Sequence, residues 1–560
     1  MIRQVRSMEN KMNACANRDQ GLKYTLVWFK AFDLGKPLDA YEAGKKLLSS
    51  GLAEVMYWYD EKDMLQREFS KTVTFKEPVV PGDPHLTIDY DLLFQEYRSN
   101  RRLVRLKLHG FKAHILGMDI EVKVYLMIHK TGFAVLGFWL PIDTALELEK
   151  LVDMVYVTEN KSMYVEGLWR PMVDKLKKLS LLEDYISEAG ENKFYATINN
   201  IATLYVYHII LTLMNRPFAS PQIRYPYAET SMAVIISDID NLQEFIQNHR
   251  KDLYTLLTGS RLTQLADNEK IKEVTDRNLS WRKDLYINIS SSRMIVLFSK
   301  EVIEQIKNDF KRKFEREPLA EMFNETAAEE IIDLHALETQ LVPIYVWENL
   351  LLQEYMLRTY NYLLGENRPD SVRQLNKLRE EISDAIEEYL NVRVWAFPYA
   401  REIVEKAKPI MSIDELYDSL KKRLELVENI VTTRHEALLN RLLLLYTVIS
   451  VALQLLDFLH FSIPISTDKY PLISSFIFFT TVPLPVLVYM DALFMKNNFT
   501  KLMIAAFLEL LLIFTFNLAQ KYSELYPLVY LLVFTIIALL ILAFPFRKKS
   551  IDSLITKPVQ

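Results

Sequence analysis

The chain holds one cysteine, Cys15, and only 13 glycines in 560 residues. A single thiol excludes an internal disulfide and any metal centre built from several cysteines. Few glycines and no low-complexity tract argue against long flexible linkers. There is no P-loop, no Gly-x-Ser-x-Gly elbow and no zinc-ligand spacing, so those phosphate, acyl-transfer and zinc chemistries have no motif to rest on. Charge of one sign is lacking too. The 67 Lys plus Arg against 72 Asp plus Glu leave a net charge of -5, which gives no sign of a nucleic-acid partner. The opening MIRQVRSMENKMNACANRDQ has no apolar stretch and does not read as a secretory signal.

Charge of either sign is scarce near the end. Between Leu442 and Phe546 the charged residues are the nine Asp457, Asp468, Lys469, Asp491, Lys496, Lys501, Glu509, Lys521 and Glu524. Four apolar runs, Leu442–Phe461, Leu472–Met490, Leu502–Ala519 and Leu528–Phe544, approach the roughly 20 residues of a helix that crosses a bilayer. Lys496, Lys501, Arg547, Lys548 and Lys549, with Arg434 and Arg441, place basic residues on one side at every second crossing. The expectation is an integral, multi-pass membrane protein, with the bilayer as its partner and both termini in the cytoplasm. Within that reading Asp457, Asp491 and Glu509 form a candidate intramembrane polar site, and Pro483 and Pro485 would kink the second span.

The sequence upstream divides into a polar segment 1–22, an α/β region 23–230, a second α/β segment 231–320, a helical layer and stalk 344–441, and, after the spans at 442–546, a tail 547–560. LKYTLVWFK, EVMYWY, RLVRLKLH and EVKVYLMI are β-type runs, and LDAYEAGKKLLSS reads as a helix. Strand, tight turn, strand, helix occurs twice: EVKVYLMI–HKTG–FAVLGFWL, and LYINI–SSS–RMIVLF before SKEVIEQIKNDFKRKF. The first of the two following helices has Thr144 and Glu147 at capping-box spacing. Helical pattern resumes at about 344, with Gly365 placed to end the first helix and a second helix over 371–392. A third follows the Ser412/Glu415 capping box. It carries Ile413, Tyr417, Leu420, Leu424, Val427 and Val431 in four–three alternation, a seam that fits a homo-oligomer through 413–441 or a hairpin within one chain. The fold class expected is therefore an α+β cytoplasmic region followed by a helical stalk and a four-helix transmembrane domain.

One stretch points to chemistry. In VIISDIDNLQEFI an apolar strand ends in Asp238-Ile-Asp240-Asn241 and turns into a helix, with LLTGSRLTQL and the hairpin LYINISSSRMIVLF downstream. These residues resemble the palm domain of nucleotide cyclases, GGDEF proteins and the polymerase-like subunit of type III CRISPR complexes. The resemblance implies that Asp238 and Asp240 would lie at a metal and nucleotide site completed by an acid on the hairpin turn. The turn itself, Ser290-Ser291-Ser292-Arg293, has neither the glycines nor the acid of that pattern, so binding without turnover is the implied residue of function. The plain alternative is that Asp240 or Asn241 caps the helix. In layout alone, α/β domain followed by long helix and membrane runs, the chain is similar to the CorA channels, although their Gly-Met-Asn signature is missing. His85, His109, His114 and His129 alternate with strand residues and lack ligand spacing. No cofactor is specified. The functional expectation is a non-enzymatic sensing or effector domain coupled by a long helix to the membrane, with an ion channel or transporter, or a membrane-tethered nucleotide-binding protein, as alternatives.

Overall fold

The computed structural model describes residues 22–59, 65–69, 103–142, 146–214, 229–261, 266–280, 282–314, 325–366, 369, 371–390 and 398–462. The chain divides into two compact units, one of residues 1–368 with 377–424, the other of 369–376 with 425–560. The first unit contains a 12-stranded sheet.

In chain order the elements begin with β1 (Lys23–Asp33), α1 (Ala40–Ser49), β2 (Ala53–Tyr59), β3 (Leu65–Phe69), β4 (Leu103–Ile115), β5 (Met118–His129) and β6 (Phe133–Ile142). Then come α2 (Leu148–Asn160), β7 (Met163–Glu166), α3 (Arg170–Lys178), β8 (Ser187–Gly190), β9 (Lys193–Ala196) and α4 (Ile198–Met214). The second α/β segment supplies β10 (Ser231–Ile239), α5 (Leu242–Asn248), α6 (Arg250–Thr258), α7 (Asn268–Thr275), β11 (Leu285–Ile289), β12 (Arg293–Ser299) and α8 (Lys300–Phe314). Four helices close the described chain: α9 (Glu325–Glu366), α10 (Val372–Leu390), α11 (Pro398–Ile410) and α12 (Ile413–Ser462).

The sheet runs β11-β12-β10-β1-β6-β5-β4-β7-β9-β8, with β2 on β4 and β3 on β2. β1 is antiparallel to both β10 and β6, so the two α/β segments share one sheet through the Phe29↔Ser231 to Lys23↔Ser237 pairing. β10 and β12 are parallel, Met232 opposite Arg293. Strand residues with alternate side chains on opposite faces explain why these runs are apolar nearly throughout: both faces are covered. Tyr24, Leu26, Trp28 and Phe32 enter the core with α1, α2, α3 and α4. Phe29 and Trp139 point the other way, Phe29 against Trp347 of α9 at 5.8 Å and Trp139 against Tyr345 at 6.2 Å. The β5–β6 turn needs Gly132 at φ 82, where a Cβ would sit 2.0 Å from the Lys36 carbonyl oxygen.

Three helix boundaries differ from the sequence expectation. α9 starts at Glu325 and carries Pro343 inside it, because flanking Val342 and Ile344 are buried and their packing outweighs the lost backbone bond, a cost of about 3 kcal/mol. The same helix continues past Gly365 to Glu366, and Gly365 admits Arg423, whose Nη1 lies 3.1 Å from where a Cβ would be. α2 is capped by Glu147 without a side-chain bond, and Thr144 lies outside the described residues. α12 begins at Ile413 after Ser412 in a left-handed conformation (φ 54). Within the first unit Ile413 and Leu420 of its seam are buried. Asn361 of α9 donates to the Leu416 carbonyl at 2.9 Å, and Ser419 donates to Asn361 Oδ1 at 3.1 Å, so this part of the seam is packed by its own chain.

Among the described residues no helix is long and apolar enough to cross a membrane. That finding corrects the four-helix transmembrane domain, the multi-pass membrane reading and the placement of the termini that followed from it. Leu442–Phe461 is the later part of α12, a helix whose earlier part is rich in Lys, Glu and Arg. The other three runs lie outside the described residues, as do Pro483, Pro485, Asp491 and Glu509; Asp457 falls within α12. Scarcity of charge in a run reports that the segment avoids water, and run length alone does not say what covers it.

Covering the second face of the sheet with α9 forces polar groups of that helix out of water. Glu348 is 2% exposed and pairs with Arg105 of β4, also 2% exposed, whose guanidinium lies 4.7 Å from the Tyr345 ring centre. Burial pushes the Glu348 carboxyl up, and Arg105 pulls it back. Glu348→Ala should lower stability by about 3–5 kcal/mol, since it strands a buried guanidinium, whereas the paired change Arg105→Met with Glu348→Leu should recover most of the loss. Urea midpoints of the two variants against the unchanged protein measure this; equal losses in the single and double variants would refute it.

Candidate functional site

The Asp238/Asp240 strand end and the Ser290–Ser292 turn occupy opposite ends of β10. Met232, at its start, pairs with Arg293, and Ile239, at its end, pairs with Ser299. Parallel pairing therefore leaves the turn about 20 Å from Asp238, six residues further along at about 3.3 Å each. At the far end Asp238 sits at a β-irregularity with φ 67 and pairs with Lys23 at 3.1 Å. Asp240 pairs with Lys300 at 2.7 Å, and the two acids together hold the Lys300 ammonium above its usual range. Lysine ammonium groups thus stand beside both carboxylates. Asn241, by contrast, caps α5, its side chain accepting from the Glu244 N–H at 3.2 Å. Among the described residues no group of three or more His, Cys, Asp or Glu could hold a metal ion. His109 binds Glu54 at 3.0 Å, His114 contacts Asp119, and buried His129 meets Thr131 at 2.7 Å; His85 lies outside the described residues.

The turn itself opens onto a cleft of about 640 Å³. β1 pairs with the first residue of β10 at Phe29 and then continues to Asp33, which leaves a step in the sheet. Around the step stand Phe29 and Ala31 of β1, Glu229, Thr230 and Ser231 entering β10, and Ser291, Ser292 and Arg293. The ends of α2 (Glu159, Asn160) and α6 (Thr258, Gly259), Asn199 of α4, and Leu351, Glu354, Tyr355 and Arg358 of α9 complete the walls.

Its charges are coupled in pairs. Arg293 grips both carboxylate oxygens of Glu159 and also donates to the Leu256 carbonyl at 3.2 Å, in the last turn of α6 where the helix dipole favours a cation. α6 must stop there, and Gly259 ends it at φ 72; a Cβ at Gly259 would lie 2.7 Å from Arg293 Nη2. Arg358 donates to Glu354 at 2.7 Å, one turn away. Glu354 is buried, which pushes its carboxyl up, and Arg358 opposes that. Beside the cleft, Lys30 of β1 is 9% exposed and donates to Asn199 at 3.0 Å. Burial lowers its ammonium to about 8 despite the attraction of Glu229.

No family model, curated protein or solved structure matches the chain. The cleft therefore stands on its geometry. The sequence offered signals for two of its parts, the Ser-Ser-Ser-Arg turn and the Gly of LLTG. Glu159, Asn199, Glu354 and Arg358 belong to no motif, and only the folding of distant segments onto one step brings them together.

Gly259→Ala should cost about 1–3 kcal/mol, from a strained left-handed backbone and a displaced guanidinium. Because both effects meet at Arg293, the loss should shrink in an Arg293→Ala background. A double-mutant cycle on urea midpoints reads the coupling, and strict additivity would show that Gly259 and Arg293 act independently.

The Lys30 shift has a definite sign. Below pH 8 both folded and unfolded states are protonated and the burial penalty is fully present; between pH 8 and 10.5 the unfolded state binds more protons, so stability rises with pH. A gap of that size corresponds to about 3 kcal/mol. Lys30→Met should remove this rise, as seen in the difference between the two urea-midpoint profiles; parallel profiles would disprove the shift.

Proposed function

We propose that this chain is a non-enzymatic ligand-binding protein, and that its α/β unit takes a polar, non-anionic small molecule into the cleft at the start of β10 and β12. The observation that carries the reading is the charge pattern of the walls. Two guanidiniums, Arg293 and Arg358, are each engaged by a carboxylate, and Glu229 adds a third acid. A phosphate entering there would have to displace Glu159 or Glu354. An uncharged or cationic molecule meets acceptors and the hydroxyls of Thr230, Ser231, Ser291 and Ser292, with Phe29 and Tyr355 as apolar wall. A volume of about 640 Å³ suits a nucleoside or disaccharide.

Thermal unfolding of the full chain with purine nucleosides, disaccharides, spermidine and ATP·Mg²⁺ tests this. A member of the first three classes should raise the melting temperature, corresponding to about 2.7 kcal/mol at a hundredfold excess over Kd. Ser292→Trp, at an exposed position of the turn, should abolish the shift. A shift with ATP·Mg²⁺ alone, lost on Asp238→Asn, would instead favour a nucleotide site at the far end of β10.

A further inference from the structure

A second cavity, of about 600 Å³, lies among α1, α3 and α4, and its character is opposite to that of the cleft. Its described lining residues include two lysines and a histidine and no carboxylate. Lys46 of α1 is fixed by a 2.7 Å bond from Nζ to the Leu213 carbonyl in the last turn of α4, which leaves further N–H donors on the same ammonium. Lys175 of α3 is half-buried, and loss of solvent pulls its ammonium below the usual range. His208 of α4 is 3% exposed, and its Nδ1 is buried with no hydrogen-bond partner. Burial and the neighbouring Lys175 charge lower the His208 imidazole to about 4.

The imidazole is held in place. Its ring meets Trp169 edge to face at 5.4 Å, and Trp169 in turn stacks on His109 at 5.5 Å with the planes 7° apart. His109 is anchored by Glu54 at 3.0 Å and by the Gly51 carbonyl at 2.8 Å. Trp169, Pro171 and Leu211 supply the apolar walls. A buried ring nitrogen with no partner carries a desolvation cost that a hydrogen-bonding ligand in the cavity would offset. Two ammonium groups lining the same cavity, again with no acid among its walls, add a positive field that nothing in the described lining neutralises.

We propose that this cavity binds an organic phosphate, the phosphate group between Lys46, Lys175 and His208 and a compact apolar group against Trp169. Lysines are flexible point charges, suited to a tetrahedral anion and indifferent to the planar geometry that an arginine fork would select. The site is independent of the cleft at β10 and β12, which shares none of these residues.

Calorimetry on the full chain decides the matter, with phenyl phosphate as probe and inorganic phosphate and benzyl alcohol as comparisons. Phenyl phosphate should bind with 1:1 stoichiometry, more tightly than either comparison and less tightly as salt is raised. Lys175→Ala should weaken it by about tenfold or more, the worth of one charged hydrogen bond. Lys251→Ala, which removes an exposed charge on α6, should leave the affinity unchanged. His208→Gln should weaken binding as well, and Lys175→Ala guards against a folding defect in that variant because Lys175 is half-exposed. Equal weakening by Lys175→Ala and Lys251→Ala would reduce the effect to overall charge and overturn the site. So would the absence of binding at millimolar phenyl phosphate, or equal affinity for benzyl alcohol.

Discussion

A sheet that is apolar on both faces must be covered on both, and most of the structure follows from that constraint. The first face is closed by helices that lie between strands in sequence, α1, α2, α3 and α4, as short connections require. The second face is closed by α9, a helix of 42 residues that lies beyond the last strand. That helix is not apolar all round. Glu348, Asn349, Gln353 and Glu354 are therefore taken out of water along with Trp347 and Tyr345. The protein meets the cost by supplying Arg105 from β4 to Glu348 and Arg358 from the next turn to Glu354. The aromatic contacts of Phe29, Trp139 and Phe133 with α9 fill the remaining space.

The direction of one strand then decides where ligand-sized space lies. Had β12 run antiparallel to β10, the Ser290–Ser292 turn would stand beside Asp238. It runs parallel, because α5, α6 and α7 and then β11 intervene and return the chain to the start of β10. The turn opens instead at the step between β1 and β10, and the two aspartates are left to pair with Lys23 and Lys300. Arg293, at the mouth of the turn, joins the ends of α2 and α6, so one guanidinium organises three elements. The cleft at β10 and the cavity at α1, α3 and α4 thus have opposite electrostatics among their described lining residues. At the start of β10 Arg293 is matched by Glu159 and Arg358 by Glu354. Beside the cavity at α1, α3 and α4, Glu54 of β2 pairs with His109, which stacks on Trp169.

The local pattern in the sequence was a good guide to the strands. Short apolar runs rich in β-branched and aromatic residues located β1, β4, β5 and β6 and both strand–turn–strand–helix units, since such composition is a property of a few consecutive residues. Asn241 could be read as a cap of the helix that follows β10. The helix expected from about 344 to Gly365 ends at Glu366 but begins at Glu325, because buried Val342 and Ile344 hold it across Pro343. The four apolar runs misled differently: they report avoidance of water and say nothing about what replaces it.

By itself, then, the sequence determined the kinds of element, the order of strand and helix, and the absence of disulfide or familiar catalytic motifs. Those depend on residues within a turn or two of one another. The tertiary structure alone decided that β12 pairs parallel to β10, that Glu159, Asn199, Glu354 and Arg358 meet at one step in the sheet, and that Lys46, Lys175 and His208 line a common cavity. These residues are separated by tens to hundreds of positions, and their proximity is fixed by long-range pairing and burial, which no local spacing encodes.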